Sequence, residues 1–445
     1  MPNANASRGF NFDTVAAEMV SGVEVYKTST AATQSGGIGA TVNVKTARPL
    51  DVGDKITGSI KGLKESNIDD VTPSISGLFS TTINDNIGIL AALSYQEREY
   101  QSDAAEVRRW DWNSRRPGSI GQYIELPDAQ GNELEVDFLP TQSVIRRQDF
   151  KRERLNGSLV FQFAPSDNLT LTLDAQYSDL QQEGLEYESA AWYSNSTSEK
   201  HLVDSNKTLI YRTITNAGLD FFVNNPVTQE VGMSTGIEAD WDINESSNLV
   251  FAYSRSTAEA QPDKQANISR SDVQAAPLSF TFEVRGDVAS HYYDNSKISL
   301  ENARLWQYDG YSDPRKDEIN QARVDYTFTQ DTLTVKAGLM LTDQTKTIQQ
   351  YMAEGGGRLQ GRYTLVGDDP VTSLFRTVEE ANAAGYHVHT MNHGVLGSLA
   401  YFDLTPEFRT MNLMRFPVNL PLLRRSQNEE EAFFRRTNHQ SHQRA

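Results

Sequence analysis

Two tryptophans flank an aspartate in Trp110-Asp111-Trp112, and Arg108, Arg109, Arg115 and Arg116 stand on either side. An indole face can stack on the apolar face of a pyranose while a carboxylate and guanidinium groups hydrogen-bond its hydroxyls. The same residues can equally pack a loop upon itself, with Arg over aromatic rings. Trp192 with Tyr193, and Trp306 with Tyr308 and Tyr311, form comparable clusters. His387 and His389 would point the same way on a strand, and His393 follows four residues later. Imidazoles suit iron, zinc or copper, but no carboxylate or thiol completes a ligand set at a recognised spacing, so no metal site is expected.

Other chemistries are set aside on residue type. The chain has no cysteine, which excludes disulfides, thiolate metal sites and a Cys nucleophile. Asp69-Asp70 and Asp368-Asp369 match no calcium-loop spacing and read as solvated charge. Glu354-Gly355-Gly356-Gly357-Arg358 lacks the Lys-Ser/Thr of a phosphate loop, and neither His-Glu-x-x-His nor Gly-x-Ser-x-Gly occurs. No catalytic residue, no cofactor and no enzyme activity are expected. Over 445 residues, 41 Lys plus Arg face 59 Asp plus Glu, for a net charge of −18. Without clustered cations to neutralise phosphates, nucleic acid is not an expected partner.

The elements that must position these residues are strands. In Leu169-Thr170-Leu171-Thr172-Leu173-Asp174 apolar side chains fall on one side and polar ones on the other. The same beat recurs over residues 87–95, 159–163, 249–253, 324–328 and 333–339. Tight polar turns at Asn84-Asp85-Asn86, Pro165-Ser166-Asp167-Asn168, Asn244-Glu245-Ser246-Ser247-Asn248 and Gln330-Asp331 join alternating strands as hairpins. Between the hairpins run long polar stretches, roughly 102–146, 183–230, 258–318 and 348–395, read as loops. A compact soluble sandwich should not need several such loops, whereas an outer-membrane barrel has short turns at one rim and long loops at the other. No run approaches the ~18 apolar residues of a membrane helix. Tyr95, Tyr100, Phe150, Tyr177, Trp241, Tyr253 and Phe328 lie toward strand ends, where interfacial girdles would place them. Aromatic residues also favour strands anywhere.

Residues 8–49 carry four blocks in order: Arg8-Gly9-Phe10-Asn11-Phe12-Asp13, Val23-Glu24-Val25-Tyr26-Lys27, Gly36-Gly37-Ile38-Gly39-Ala40-Thr41-Val42-Asn43-Val44, and Thr46-Ala47-Arg48-Pro49. Together they closely resemble the last part of the plug domain of TonB-dependent outer-membrane receptors. The second block reads as a strand, and the glycine run permits a tight turn before the next one. The resemblance implies an all-β fold, a transmembrane antiparallel β-barrel of the 22-stranded receptor type, here truncated to about ten or eleven strands, with a partial N-terminal plug. It implies a bacterial outer-membrane location and energised uptake of a scarce nutrient, an oligosaccharide ahead of an iron-siderophore. TonB would be the partner of a full-length member, its contact segment being absent here. The expected organisation is residues 1–50 as the C-terminal part of the plug, 51–409 as the first half of the barrel, and 410–445 as an atypical basic tail. From Met411 to Ala445 there are six Arg, three Glu and neither Gly nor Tyr. A frameshifted coding end or a basic appendage would produce that switch. A non-transporting β-rich surface or fibre protein is the alternative reading, and it would bury the alternating apolar residues between two sheets.

Overall fold

Alternation of side chains builds a sheet whose strands are joined in pairs by short polar turns. The computed structural model of the chain describes residues 14–28, 39–112, 136–193, 197–261, 268–353, 363–369, 373–384, 386–404 and 434–441. In chain order the elements are β1 (Val20–Tyr26), β2 (Thr41–Thr46), α1 (Pro49–Val52), β3 (Lys55–Leu63), β4 (Thr72–Ile83), β5 (Ile87–Trp112), β6 (Phe138–Ser166), β7 (Leu169–Trp192), β8 (Thr197–Val203), β9 (Leu209–Asn244) and β10 (Ser247–Ala260). There follow β11 (Ile268–Arg285), β12 (Val288–Tyr293), β13 (Ala303–Ser312), β14 (Arg315–Gln330), β15 (Leu333–Ala353), β16 (Tyr363–Val366), β17 (Ser373–Phe375), α2 (Val378–Ala383), β18 (Tyr386–His393), β19 (Gly397–Leu404) and β20 (Phe434–Ser441).

The fold is all-β and almost wholly antiparallel. The four hairpin turns read from sequence are the β4–β5, β6–β7, β9–β10 and β14–β15 connections. Asn84, Asp85 and Asp331 take positive φ there (53°, 56° and 51°), a conformation Asn and Asp tolerate better than most residues. Above the turns, β3, β4, β5, β6, β7, β9, β10, β14 and β15 lie side by side in one sheet. Among the described residues no pairing joins β3 to β15, so the sheet is open and both edges run in the same direction.

The stretches expected to be loops are largely strand. β5 and β6 extend as one ladder to Trp112 opposite Phe138, and β9 runs for 36 residues. Range 51–409 holds β3 to β19, of which the nine side-by-side strands stand against the ten or eleven wall strands expected. β5 above Tyr95 carries polar side chains on both faces, so its beat fades, whereas β11 keeps a beat through Leu278, Phe280 and Phe282 that lies inside a stretch read as loop.

Register makes the two faces of the lower sheet explicit. One row, continuous across eight strands, reads Ile83, Ile87, Phe163, Leu171, Ala239, Phe251, Val324 and Leu339. The next row, on the other face, reads Thr82, Gly88, Gln162, Thr172, Glu238, Ala252, Arg323 and Met340. The apolar face is bare, with Leu93 60 % and Leu339 64 % exposed, while on the polar face Gln162 is 3 % exposed. This is the inverse of a water-soluble sheet.

In the upper part the same apolar-bearing face is covered. Phe221, Val223, Val273, Phe280, Phe282 and Phe402 share one buried cluster with residues of β11, β13, α2, β18 and β19. The tail contributes β20, whose Phe434 to Ser441 pair with Ala353 to Lys346 of β15.

Candidate functional site

The N-terminal segment lies on the polar face. β1 and β2 pair as a hairpin, Val23 opposite Val44 and Tyr26 opposite Thr41. Of the motif residues, Val23, Val25 and Tyr26 are exposed. Lys45 and Tyr26 donate to the Glu24 carboxylate at 2.5 and 2.7 Å and hold its pKa down to about 2, the lysine contributing most. Lys27 is exposed at the end of β1, and Gly39 has open space around it. Arg8, Gly9, Phe10, Gly36 and Gly37 lie outside the described residues, as does the turn ascribed to the glycine run.

Arg48 and Pro49 tie this segment to the wall. Arg48 Nη1 donates to Glu238 Oε1 at 2.7 Å, and Leu50 N donates to Gln162 Oε1 at 2.9 Å. Pro49 is buried against Gly88, where a Cβ would come within 2.9 Å of the proline ring. Glycine is what lets α1 approach β5 so closely. Asn156 Nδ2 donates to Thr14 O at 2.7 Å. Between segment and wall remains a cavity of about 590 Å³, lined by Thr14, Met19, Val44, Asn156, Gln176 and Ser234 among others.

Above that segment the wall carries charge and aromatic rings. Arg98 pairs with Glu65 at 2.7 Å and lies 5.4 Å from the Tyr100 ring centre. Tyr100 sits 5.5 Å from Phe150 and donates to Gln182 Oε1 at 3.3 Å. The Phe150 ring occupies the place a side chain at position 184 would take, so Gly184 is required for that shelf. Arg108 bonds Glu188 at 2.5 Å and Glu106 at 3.3 Å, and Arg146 bonds Glu106 at 2.5 Å. Burial pushes the Glu188 carboxyl up, against the pull of Arg108. Glu186 accepts from Gln148 at 2.5 Å and from Asn224 at 2.7 Å. Such a wall can hydrogen-bond hydroxyls and stack flat faces.

The aromatic clusters chosen from sequence are distributed rather than gathered. Trp110 turns toward the covered core, 6.0 Å from Phe282 edge-on, and Tyr193 meets the same ring at 5.4 Å. Tyr193 is 1 % exposed, so it presents no surface to a ligand in this arrangement. Asp111 is held by Arg109 through two bonds of 2.6 and 2.7 Å. Trp192 is half exposed, opposite Gln142 of β6, whose other neighbour is Arg109. Trp112 ends β5. Tyr308 and Tyr311 lie on β13 opposite Ser271 and Ile268 of β11, and Trp306 falls in a register shift. Arg115 and Arg116 lie outside the described residues. His387 and His389 lie together, ring centres 5.6 Å apart, with His387 bonded to Asn382 at 3.1 Å, while His393 bonds the Arg146 carbonyl at 3.1 Å and does not join them. Among the described residues no three His, Asp or Glu side chains gather as a metal site.

One polar group was not found by sequence. His291 of β12 is wholly buried, its Nδ1 2.8 Å from Ser143 Oγ and its Nε2 3.0 Å from Ser189 Oγ, and Ser143 also meets Tyr193 Oη. Burial lowers its pKa to about 3. A serine against an imidazole is half of a nucleophilic pair, but here both are sealed in the core and the contacts cross-link β6, β7 and β12. Nothing in the local sequence marks it, since its partners lie 148 and 102 positions away.

No protein-family model matches the chain, and no curated protein or solved structure is significantly similar to it.

Proposed function

We propose that this chain is the wall and part of the inner plug of a TonB-dependent receptor in a bacterial outer membrane, one that captures a scarce nutrient for energised uptake. The observation that carries the reading is the bare apolar band. Its strand segments, such as Ile87 to Tyr95 and Leu333 to Leu341, each span nine residues, close to the roughly 9–11 a tilted strand needs to cross a bilayer. Above the band the outward face turns charged, with Lys151 between Glu97 at 3.3 Å and Glu153 at 2.8 Å, and Lys316 between Glu259 at 2.9 Å and Glu318 at 3.2 Å. The polar face is then the lumen, where Arg48, Pro49 and Leu50 seat the plug segment. A free sheet edge cannot stay in hydrocarbon, so strands beyond those described complete a barrel of the 22-stranded type. The charged and aromatic upper wall fits an oligosaccharide better than an iron-siderophore, and uptake needs no chemistry on the ligand.

Exported into a Gram-negative host, the chain should fractionate with outer membranes and resist alkaline extraction. The extracted protein should retain on an oligosaccharide array and lose that retention on Trp192→Ala. Recovery as a soluble periplasmic protein would overturn the membrane reading in favour of a surface or fibre role. Retention of ferric siderophores alone would overturn the carbohydrate preference.

A further inference from the structure

The β18–β19 hairpin is a two-stranded sheet of its own, and among the described residues no backbone ladder joins it to the large sheet. Side chains hold it down instead. At its base Tyr293 Oη donates to Ala400 O at 2.8 Å, while Asn295 donates to Ser398 O at 2.9 Å and accepts from Ala400 N at 2.8 Å. At its tip Arg147 donates to Asn392 O at 3.1 Å and Asp103 accepts from Gly394 N at 3.0 Å. Between these, Tyr401 packs on Tyr187 at 4.8 Å and Phe402 on Phe221 at 5.1 Å. They fill a trough lined by Tyr187, Ser189, Phe221 and Tyr293, leaving about 10 Å³, room for one water at most.

His393 fastens the tip in a way that requires a neutral ring. Its Nδ1 accepts from Val395 N at 3.2 Å and Leu396 N at 3.3 Å, and its Nε2 faces the Arg146 carbonyl at 3.1 Å. Two backbone donors fix Nδ1 as the acceptor, so Nε2 carries the proton and donates. A second proton would set an N–H against two N–H groups and break the turn.

We propose that β18–β19 is a proton-released lid, latched by neutral His393, over an aromatic trough that the lid's own Tyr401 and Phe402 occupy when it is shut. The charged groups facing the latch are Asp103 of β5 and Arg147 of β6. Arg147 is itself paired with Asp149 at 3.3 Å, and on the opposite face of the sheet Arg108 is bound to Glu188 and Arg146 to Glu106, each at 2.5 Å. His291, under the trough, stays neutral through this range because burial holds it at about 3. On the lid itself His389 is exposed and His387 is bonded to Asn382 at 3.1 Å. The lid does not depend on what solvent surrounds the lower sheet.

Hydrogen exchange of the purified full chain at pH 8 and pH 5, corrected for intrinsic rates, reads the lid directly. Amides of 386–404 should exchange at least tenfold faster at pH 5 over and above any change in β6 and β7, which His291 ties together. His393→Asn keeps an acceptor where Nδ1 stood and cannot titrate, so its lid should no longer respond to pH. A Cβ on Gly394 would lie 3.8 Å from that of Asp103, the mean separation in a disulfide. Oxidised Asp103→Cys/Gly394→Cys should therefore stay shut at pH 5 and open on reduction, with no native cysteine to compete. A parent lid that exchanges alike at both pH values, or a His393→Asn lid that still opens in acid as the parent does, overturns the proposal.

Discussion

The same face of the same strands has two fates. On β5, β6, β7 and β9 the lower part leaves Leu93, Leu159, Leu173 and Ile237 about half exposed or more, whereas higher on those strands Phe221 and Ala191 are sealed in the cluster that Tyr293 of β12 and Phe402 of β19 complete. A chain able to cover its apolar side chains in one half has no physical reason to leave a contiguous band bare in the other if both stand in water. On the proposed membrane reading the two halves face different solvents, with the charged ring of Glu97, Lys151 and Glu153 at the boundary.

Removing side chains from the covered half should cost most. Phe221→Ala, which removes the ring that Phe402 and Tyr293 meet at 5.1 and 5.9 Å, is expected to lower stability by about 3–5 kcal/mol in denaturant titration. Trimming Leu159 to Ala on the bare face should cost far less, because a lipid tail replaces the lost contact. Equal losses at the two sites would erase the comparison. Charge sharpens it from the other side: Leu339→Arg should weaken folding into lipid vesicles by about 2–4 kcal/mol, as an Arg at mid-bilayer does.

Acid should act on the covered half through one buried imidazole. The His291 imidazole has a pKa of about 3 when folded against 6.5 for a free side chain. Below pH 6.5 the unfolded chain therefore takes up a proton that the folded one refuses. The stability so conferred is complete above that pH and falls by about 1.4 kcal/mol for each unit of acidification toward 3, reaching about 2 kcal/mol at pH 5. His291→Gln should flatten this slope in pH-dependent unfolding. The smallest effect belongs to the boundary ring, where Lys316→Ala should cost about 0.5 kcal/mol and vanish in high salt, since surface pairs are screened.

The lower half was legible because one of its faces is apolar and the other polar, so that Leu169 to Asp174 and Leu333 to Leu339 keep a strict beat and Asn84, Asp85 and Asp331 mark the turns. The upper half was not. There Glu97-Arg98-Glu99-Tyr100 puts polar groups on both faces, and Ala275 to Leu278 and Leu278 to Phe280 shift register against β9, so strands read as loops. The aromatic clusters were visible as residue types, but only three-dimensional contact shows that Tyr193 is sealed while Trp192 stands out. The ties of Arg48 to Glu238 and of His291 to Ser143 span 190 and 148 positions, beyond any local pattern.

The solvent of the lower band can be measured one position at a time, because the chain has no cysteine and each introduced label is unique. Nitroxides at Leu93→Cys, Leu159→Cys and Leu339→Cys, with the protein in bilayers, should collide with dissolved oxygen far more than with a water-soluble nickel chelate, and a label at Trp192→Cys should show the reverse. Nickel-dominated collisions at the three leucine positions would contradict the account.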